Sequence, residues 1–561
     1  MKIFEIKNVK IVLCVCAIVL FLIFCFKSKF NEKNEFTDFG VNVTTENGEY
    51  SYTIKWYKQD AEGSERYFMT LPCSVKEKKV TANFSGNIKI NLDGKKLKSG
   101  DVIEGLSEGY HLLIVGEEEY IFYVNFTSDI PTLYIATESG TQKHIKESRE
   151  NKEGGYISIV DHDKLIYKDT LEYIKCRGNY TWTLNKKPYN IKFHDEIDLF
   201  GMGAAKKWCL IANYLDGTML KDKIGYDFAD EVGLKFSPQT ILVDVYINDE
   251  YMGNYTLSEA VEVSENRVDI VDLDELNKKA NVGADLAEFD LGGVRGEESH
   301  LERGSAKWVD IPNNPVDFSG GYLIEFELDS RYDDELCGFI SKYGQPVILK
   351  SPEYATCAQV EYIRDYYQAF EDALLDEKGY NKAGKHYSDY IDVESFAKMY
   401  LFQEFIKNLD GVGTSLFFYK NPDGKLTAGP VWDVDLGFGG SYEREGIKMD
   451  DPNTLWINGS HLANDLSDKY SIFSLLCKHA EFQKEAKRQW ELYFEPNIEK
   501  LLYEIESLYA KNKDSIISDK CKWNIDGDYI LAQKQVEKSI VKMKNFIEQR
   551  SAFLTEYFIE K

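Results

Sequence analysis

The sequence predicts an α+β protein of two lobes, preceded by a small antiparallel β domain and an N-terminal membrane segment. Three observations carry this. From about residue 41 to 260, and again in "GGYLIEFELD" and "QPVILKS", short runs alternate apolar and polar residues at strand period and break at Gly, Asn and Asp. After Glu353 the period lengthens to that of helices. Near the start of that second part a hairpin stands alone: "SLFFYK", the turn "NPDG", then "KLTAGPVWD". A strand-rich part followed by a helical one is an α+β order, and a crevice between two such lobes is a usual place for a ligand.

The chain has 561 residues, 43% hydrophobic and 14% aromatic. That is enough apolar material for a large core and about three to four domains. It carries 67 Lys and Arg against 94 Asp and Glu, a net charge of −27 at pH 7. Phosphate backbones are bound by clustered Lys and Arg, so this charge argues against nucleic acid as a partner. Of ten cysteines, Cys14, Cys16 and Cys25 lie in an apolar N-terminal run and the others are scattered without a C-x-x-C pair. That spacing supports neither a zinc site nor a dense disulfide framework.

Residues 1–10 read as a cytoplasmic N-terminus and 11–26 as a transmembrane segment. Ile11 to Phe26 holds no charge; Lys2, Lys7 and Lys10 precede it, and Lys27 and Lys29 follow. The run falls short of the roughly 20 residues of a full span, and snorkelling lysines at both ends make up the difference. With no small-residue cleavage site after it, the run reads as an uncleaved signal anchor that leaves the bulk of the chain extracytoplasmic. A cleaved signal peptide is the alternative. Residues 27–40 read as a tether and 41–128 as a β-sandwich-like domain, with the Asp-Gly of "LDGKKL" as a hairpin turn. The strand-rich lobe follows over 129–352. Its one helix is "LKDKIGYDFADEVG", with Ile224, Phe228 and Val232 on one face and Gly233 as the stop. Residues 275–315, rich in Gly, Glu and Asn, read as a long loop or insertion. The helical lobe, 353–561, opens with "DVESFAKMYLFQEFIKNLD", where Asp392 is the N-cap and Phe396, Tyr400, Phe405 and Leu409 form one stripe.

The chemistry concentrates where this helix meets the hairpin. Asp410 ends the helix, where the dipole disfavours a carboxylate, and the small residues "GVGTS" follow. The hairpin returns the chain to "GPVWDVDLGFGG", which sets Asp433 and Asp435 in an apolar, glycine-rich run. Two carboxylates there repel each other and lose solvation, and a divalent cation would compensate. One Asp at the acceptor hydroxyl and a second on Mg²⁺ is the arrangement of phosphoryl transfer. Such a site needs a cation for the phosphates. In "YIKCRGNYTWTLNKKPYNIKF", alternation sends Tyr189, Ile191 and Phe193 to one face and Asn190 and Lys192 to the other. Lys192 is the first candidate, with Lys187 and Arg177 as alternatives. No G-x-G-x-x-G loop is present.

The blocks "RGNYTW" with "KKPYNIKF", "KKWCLIANYLDGTMLKDKIGYDFA", "YINDEYMGNYTLSE", "GGYLIEFE", "KNLDGVGTSLFFYK" and "GPVWDVDLGFG" come in an order that resembles the spore coat protein H (CotH) kinase-like family, over roughly residues 130–550. The resemblance implies an atypical protein-kinase-like two-lobed fold, ATP with Mg²⁺ or Mn²⁺, and phosphorylation of Ser or Thr in secreted, surface or spore-coat proteins. On that mapping Asp410 is the catalytic Asp, Asp433 holds the metal with Asp435 as an accessory, and Glu259 falls near the interlobe hinge or nucleotide edge. The strand pattern alone gives Lys192 as the catalytic, nucleotide-binding cation, with Lys187 and Arg177 as the alternatives, and the Ser415 hydroxyl is a weaker metal ligand. Two positions depart from the pattern. Ser415 stands where kinases place an Asn that helps hold metal, and Lys221 stands where an Arg is expected. The expectation is a membrane-anchored extracytoplasmic kinase acting on a surface or spore-coat protein. The alternatives are an inactive kinase-fold scaffold of the envelope or coat, and another ATP-dependent transferase on the same fold, because fold alone does not decide chemistry.

Overall fold

The computed structural model describes residue 36 and residues 38–560, apart from 62–63, 87, 299, 301, 463–468 and 524–527. The expected cytoplasmic N-terminus, the membrane segment and most of the tether lie outside the described residues. Among the described residues, no helix is long and apolar enough to cross a membrane.

The architecture is α+β: among the described residues a two-layer β-sandwich, a closed barrel and a helix-covered sheet follow one another. Phe39, at the end of the expected tether, already opens the first strand, Phe39–Thr44, which pairs on both sides. With Ser51–Lys55, Val80–Phe84 and Val102–Ile103 it forms one layer of a sandwich. A six-stranded layer covers it, and Phe39, Trp56 and Phe122 meet between the two.

The next seven strands close into a barrel. They are β1 (Thr132–Thr137), β2 (Lys152–Asp161), β3 (Lys164–Cys176), β4 (Tyr189–Asp198), β5 (Ala204–Ile211), β6 (Thr240–Ile247) and β7 (Glu250–Glu259). Neighbours in sequence pair antiparallel from β1 to β5, β5 pairs with β7, and β6 returns to β1 in parallel. Ile157, Ile191, Trp208, Val245 and Tyr255 fill the interior, as strand alternation on a closed sheet requires. Helix α1 (Lys221–Glu231) interrupts the barrel between β5 and β6, with Ile224 and Phe228 buried as its spacing predicts.

A separate seven-stranded sheet corrects the expected lobe boundary. It contains β8 (Leu291–Gly293), β9 (Ala306–Val309), β10 (Tyr322–Phe326), β11 (Gly338–Ile340), β12 (Pro346–Ser351), β13 (Leu416–Lys420) and β14 (Thr427–Ala428). Their order is β8-β9-β11-β12-β10-β13-β14. The hairpin β13–β14 therefore extends the sheet of "GGYLIEFE" and does not stand in a separate lobe: Glu325 lies opposite Phe417 and Leu323 opposite Tyr419. Residues 275–315 are not a plain loop either, since they supply a helix (Leu273–Ala280) and the two outer strands β8 and β9. Alternation marks a strand but does not choose its partner, which is why the sequence left both points open.

Helices cover this sheet. Thr356 caps α2 (Cys357–Leu374) through a capping box. Asp392 caps α3 (Val393–Ile406), its carboxylate accepting from Ser395 N at 2.8 Å. Every residue of α3 from Phe396 to Ile406 is buried. The expected single stripe is thus too narrow, and a helix covered on all sides is a core helix. Of the two long C-terminal helices, α4 (Ile498–Trp523) and α5 (Tyr529–Thr555), α4 passes from the main core to the sandwich core, with Ile505 in the first and Ile517 in the second. It ties the sandwich down by polar contacts as well. Asn125 Nδ2 donates to Ser518 Oγ at 2.6 Å, and Ser128 N to Ser515 Oγ at 2.9 Å. The seven described cysteines are free thiols.

Candidate phosphotransfer site

Three segments converge at one point: the start of α1, the loop after α3 and the turn after β14. The first is organised by Asp216, whose carboxylate accepts from Thr218 N at 2.8 Å and Lys221 N at 2.9 Å, fixing where α1 begins. Asp222 then accepts from Val434 N at 3.2 Å, and the Tyr226 hydroxyl accepts from Asp433 N at 3.2 Å. The approach is close enough to demand glycine: a Cβ on Gly225 would lie 2.5 Å from Val434 Cγ2. Tyr226 stacks on Trp432, with ring centroids 5.8 Å apart and planes 10° apart. Arg177 sits over the same indole at 5.1 Å.

The second and third segments lock to each other. Helix α3 ends at Lys407, which is left-handed at φ 49°. Its ammonium donates to Lys448 O and Asp451 O at 2.8 Å each. Asn408 Nδ2 donates to Asp433 O at 3.1 Å. Ser415 and Asp433 are both left-handed, with φ 55° and 58°. Non-glycine residues held there store strain that the surroundings must offset, and such residues cluster at functional sites. The Ser415 hydroxyl donates to Asp433 Oδ2 at 3.4 Å.

Electrostatics show that the carboxylates form one group. Asp410 is pushed up to about 7, first by burial and then by repulsion from Asp433. Asp222 is also pushed up to about 7, by burial and by Asp433. Burial, with Asp433 and Asp222 beside it, holds Asp435 well above the usual carboxylate range. Burial raises Asp433 too, opposed by Arg177, by the Ser415 hydrogen bond and by Arg331. Four acids that disfavour one another's ionisation define a site with excess negative charge.

The donor chemistry suits a hard divalent cation. Among the described residues no three His, Cys, Asp or Glu side chains make a ready ion cage. Mg²⁺ at a nucleotide needs no such cage, because one or two carboxylates suffice when phosphates and water fill the remaining positions. Asp433, Asp435 and the Ser415 hydroxyl are oxygen donors of that kind.

Of the expected site residues, Asp410, Asp433, Asp435, Ser415 and Arg177 come together. The other three do not join them. Lys192 lies outside the barrel, where its ammonium pairs with Glu172 at 2.7 Å. Alternation does put it opposite Ile191, but the outer face of a closed barrel is not the face that meets the carboxylates. Lys187 donates to Trp182 O at 2.6 Å. Glu259 pairs with Arg267 at 2.7 Å and accepts from Gln239 N at 2.9 Å. It lines a cavity of about 890 Å³ on the other face of α1, with Lys223, Asp227 and Lys511, and neither Asp410 nor Asp433 belongs to that cavity.

Sequence reasoning missed Asp222, Tyr226, Glu325, Glu327, Arg331 and Arg444. Glu325 is pushed up to about 8, mainly by burial, with Asp433 among the charges that act on it. The Thr414 hydroxyl donates to Glu327 Oε1 at 2.7 Å. A signal was available for some of them. Asp222 and Tyr226 are four apart on the α1 face opposite Ile224 and Phe228, and Glu325 and Glu327 interrupt an apolar strand with period two.

A strand barrel, a helix-covered sheet and the cluster of Asp222, Asp410, Asp433 and Asp435 fit a kinase-like protein. The sequence model of the CotH kinase protein family matches residues 174–554, more than half of the chain, and the chain belongs to that family. No curated protein matches it.

Proposed function

We propose that the chain is an extracytoplasmic protein kinase that moves the γ-phosphoryl group of ATP, bound with Mg²⁺ or Mn²⁺, to a Ser or Thr hydroxyl of a surface or spore-coat protein. The carrying observation is the convergence of Asp410, behind a core helix, with the left-handed Asp433. Asp410, with a carboxyl pushed up to about 7, is suited to take the acceptor proton near neutral pH. Asp433 and Asp435, with Ser415, supply oxygen ligands for the cation, which when bound screens the phosphate charge. Arg177, spread over Trp432, supplies a fixed positive charge on the barrel side. The apolar run 11–26 supports anchoring to a membrane.

The test is calorimetry of the full chain with ATP, with and without Mg²⁺ or Mn²⁺, beside Asp433→Ala. Metal-dependent binding that the substitution abolishes supports the kinase. Absence of binding in either metal refutes it and favours a scaffold, a reading that Ser415 in place of Asn motivates. If binding occurs, the mass gained by a modified substrate separates phosphate transfer from nucleotide or amino-acid transfer.

A further inference from the structure

We infer that Arg331 is the second cation of the phosphoryl site, meeting the γ-phosphate across from Arg177 while Glu327 positions its side chain. The inference rests on the phosphotransferase reading. A nucleotide triphosphate adds about four negative charges to a pocket that already holds Asp222, Asp410, Asp433 and Asp435, so fixed cations are needed beside the metal.

The lysines of the barrel and of the neighbouring elements are committed elsewhere. Lys192 pairs with Glu172, and Lys187 with a carbonyl. Lys186 is fully buried against Asp519. Lys221 donates to Asp435 O at 2.9 Å. Lys350 lies between Glu325 at 3.6 Å and Glu335 at 3.1 Å. Arg177 and Arg331 remain: Arg177 lies over Trp432, the residue before Asp433, and Arg331 reaches the loop of Asp410 through Glu327 and Thr414.

Arg331 lies in the short turn Asp329–Asp334 that follows β10. It touches Glu327 at 3.6 Å, beyond a good hydrogen bond, and its side chain is one-third exposed. Glu327 is buried, and through Thr414 it grips the loop that carries Asp410, whose carbonyl accepts from Thr414 N at 3.3 Å. One carboxylate thus holds the acceptor-side loop and the arginine together. A guanidinium whose one anionic contact among the described residues is loose keeps N–H donors for phosphate oxygens. Arg444 differs, since it stands on a separate hairpin, Glu443–Arg444 paired with Ile447–Lys448, and not on the turn that Glu327 ties to the Asp410 loop. In the transfer, the acceptor oxygen bonds to the γ-phosphorus and the bond from that phosphorus to the β–γ bridging oxygen breaks. ADP leaves with the electron pair, and the acceptor proton passes to Asp410. Arg331 bears on the γ-oxygens throughout.

The test is a titration of the full chain with AMP, ADP and ATP in Mn²⁺, read by calorimetry. In Arg331→Met the affinity for ATP falls about tenfold or more, the worth of a charged hydrogen bond, while AMP and ADP change less than about twofold. Arg331→Lys recovers part of the loss, and Glu327→Gln weakens ATP in the same direction by less. If the Met variant loses its thermal transition, the Lys variant, which keeps the charge, carries the comparison. Equal losses for all three nucleotides, or none for ATP, overturn the assignment alone. A wild-type chain that binds none of the three overturns the phosphotransferase reading and this assignment with it.

Discussion

Gly225→Ala tests how the site is held. The added Cβ would lie 2.5 Å from Val434 Cγ2, whereas carbon atoms rest at about 3.5–4.0 Å. Helix α1 and the 432–435 turn must therefore separate by about 1 Å. Overpacking of this kind costs about 1–3 kcal/mol, and replacing Gly by Ala within a helix returns about 1 kcal/mol. The net loss of stability is small, about 0–2 kcal/mol by these figures. The functional loss is clearer. Asp222 holds Val434 N at 3.2 Å, and a shift of that size breaks the bond. Loss of about 1 kcal/mol of positioning weakens ATP by roughly fivefold. Calorimetry and thermal melts of Gly225→Ala, Val434→Ala and the double variant form a cycle. Val434→Ala removes the clashing methyl, so the double variant regains affinity with a coupling of about 0.5–3 kcal/mol. Additive effects, or a Gly225→Ala chain that gains the full helix propensity and binds ATP as before, would refute the argument.

Other outcomes follow from the same geometry. Arg550 and Glu404 are both fully buried, and Arg550 also donates to Pro452 O at 2.8 Å and Thr454 O at 2.7 Å. Arg550→Met leaves that carboxylate unpaired and costs about 3–5 kcal/mol in urea unfolding. Lys192→Ala changes ATP affinity less than about twofold and stability by less than about 1 kcal/mol, because the pair with Glu172 is a surface pair. Asp244 is pushed up to about 7 by burial, even though it accepts from Tyr251 and Ser515. Its folded value lies above its unfolded one, so its contribution is full below about pH 4 and is lost as pH rises through 7. Thermal midpoints of Asp244→Asn, which cannot ionise, should therefore fall less between pH 5 and 8 than those of the wild type.

The elements legible in the sequence were the ones set by local rules. Helix α1 is marked by Ile224 and Phe228 at spacing four and by Gly233, left-handed at φ 81°. Asp392 shows as a cap, and the turn "NPDG" shows as a hairpin. Asp410 and Asp433 were legible because each breaks such a rule: one carboxylate follows a helix C-terminus, the other sits in an apolar run. Lys192 misled because alternation gives a side, while the pairing of β5 with β7 decides whether that side faces a pocket or lies outside a barrel. Arg331 carried no local anomaly, and Glu327 showed only as a polar break in an apolar strand. Their meaning comes from Thr414, far along the chain.

The order of chain segments, the apolar periodicities, the caps and the presence of unusual acids are determined by the sequence itself, because each depends on residues within a turn or two of one another. Closure of the barrel, the union of β10 with β13 in one sheet and the choice of which cations serve the carboxylates are decided by tertiary structure. Each depends on register between distant strands, which alternating patterns satisfy in several ways. Only the burial of the whole core selects one. That selection brings Arg177 and Arg331 to Asp433 and leaves Lys192 with Glu172.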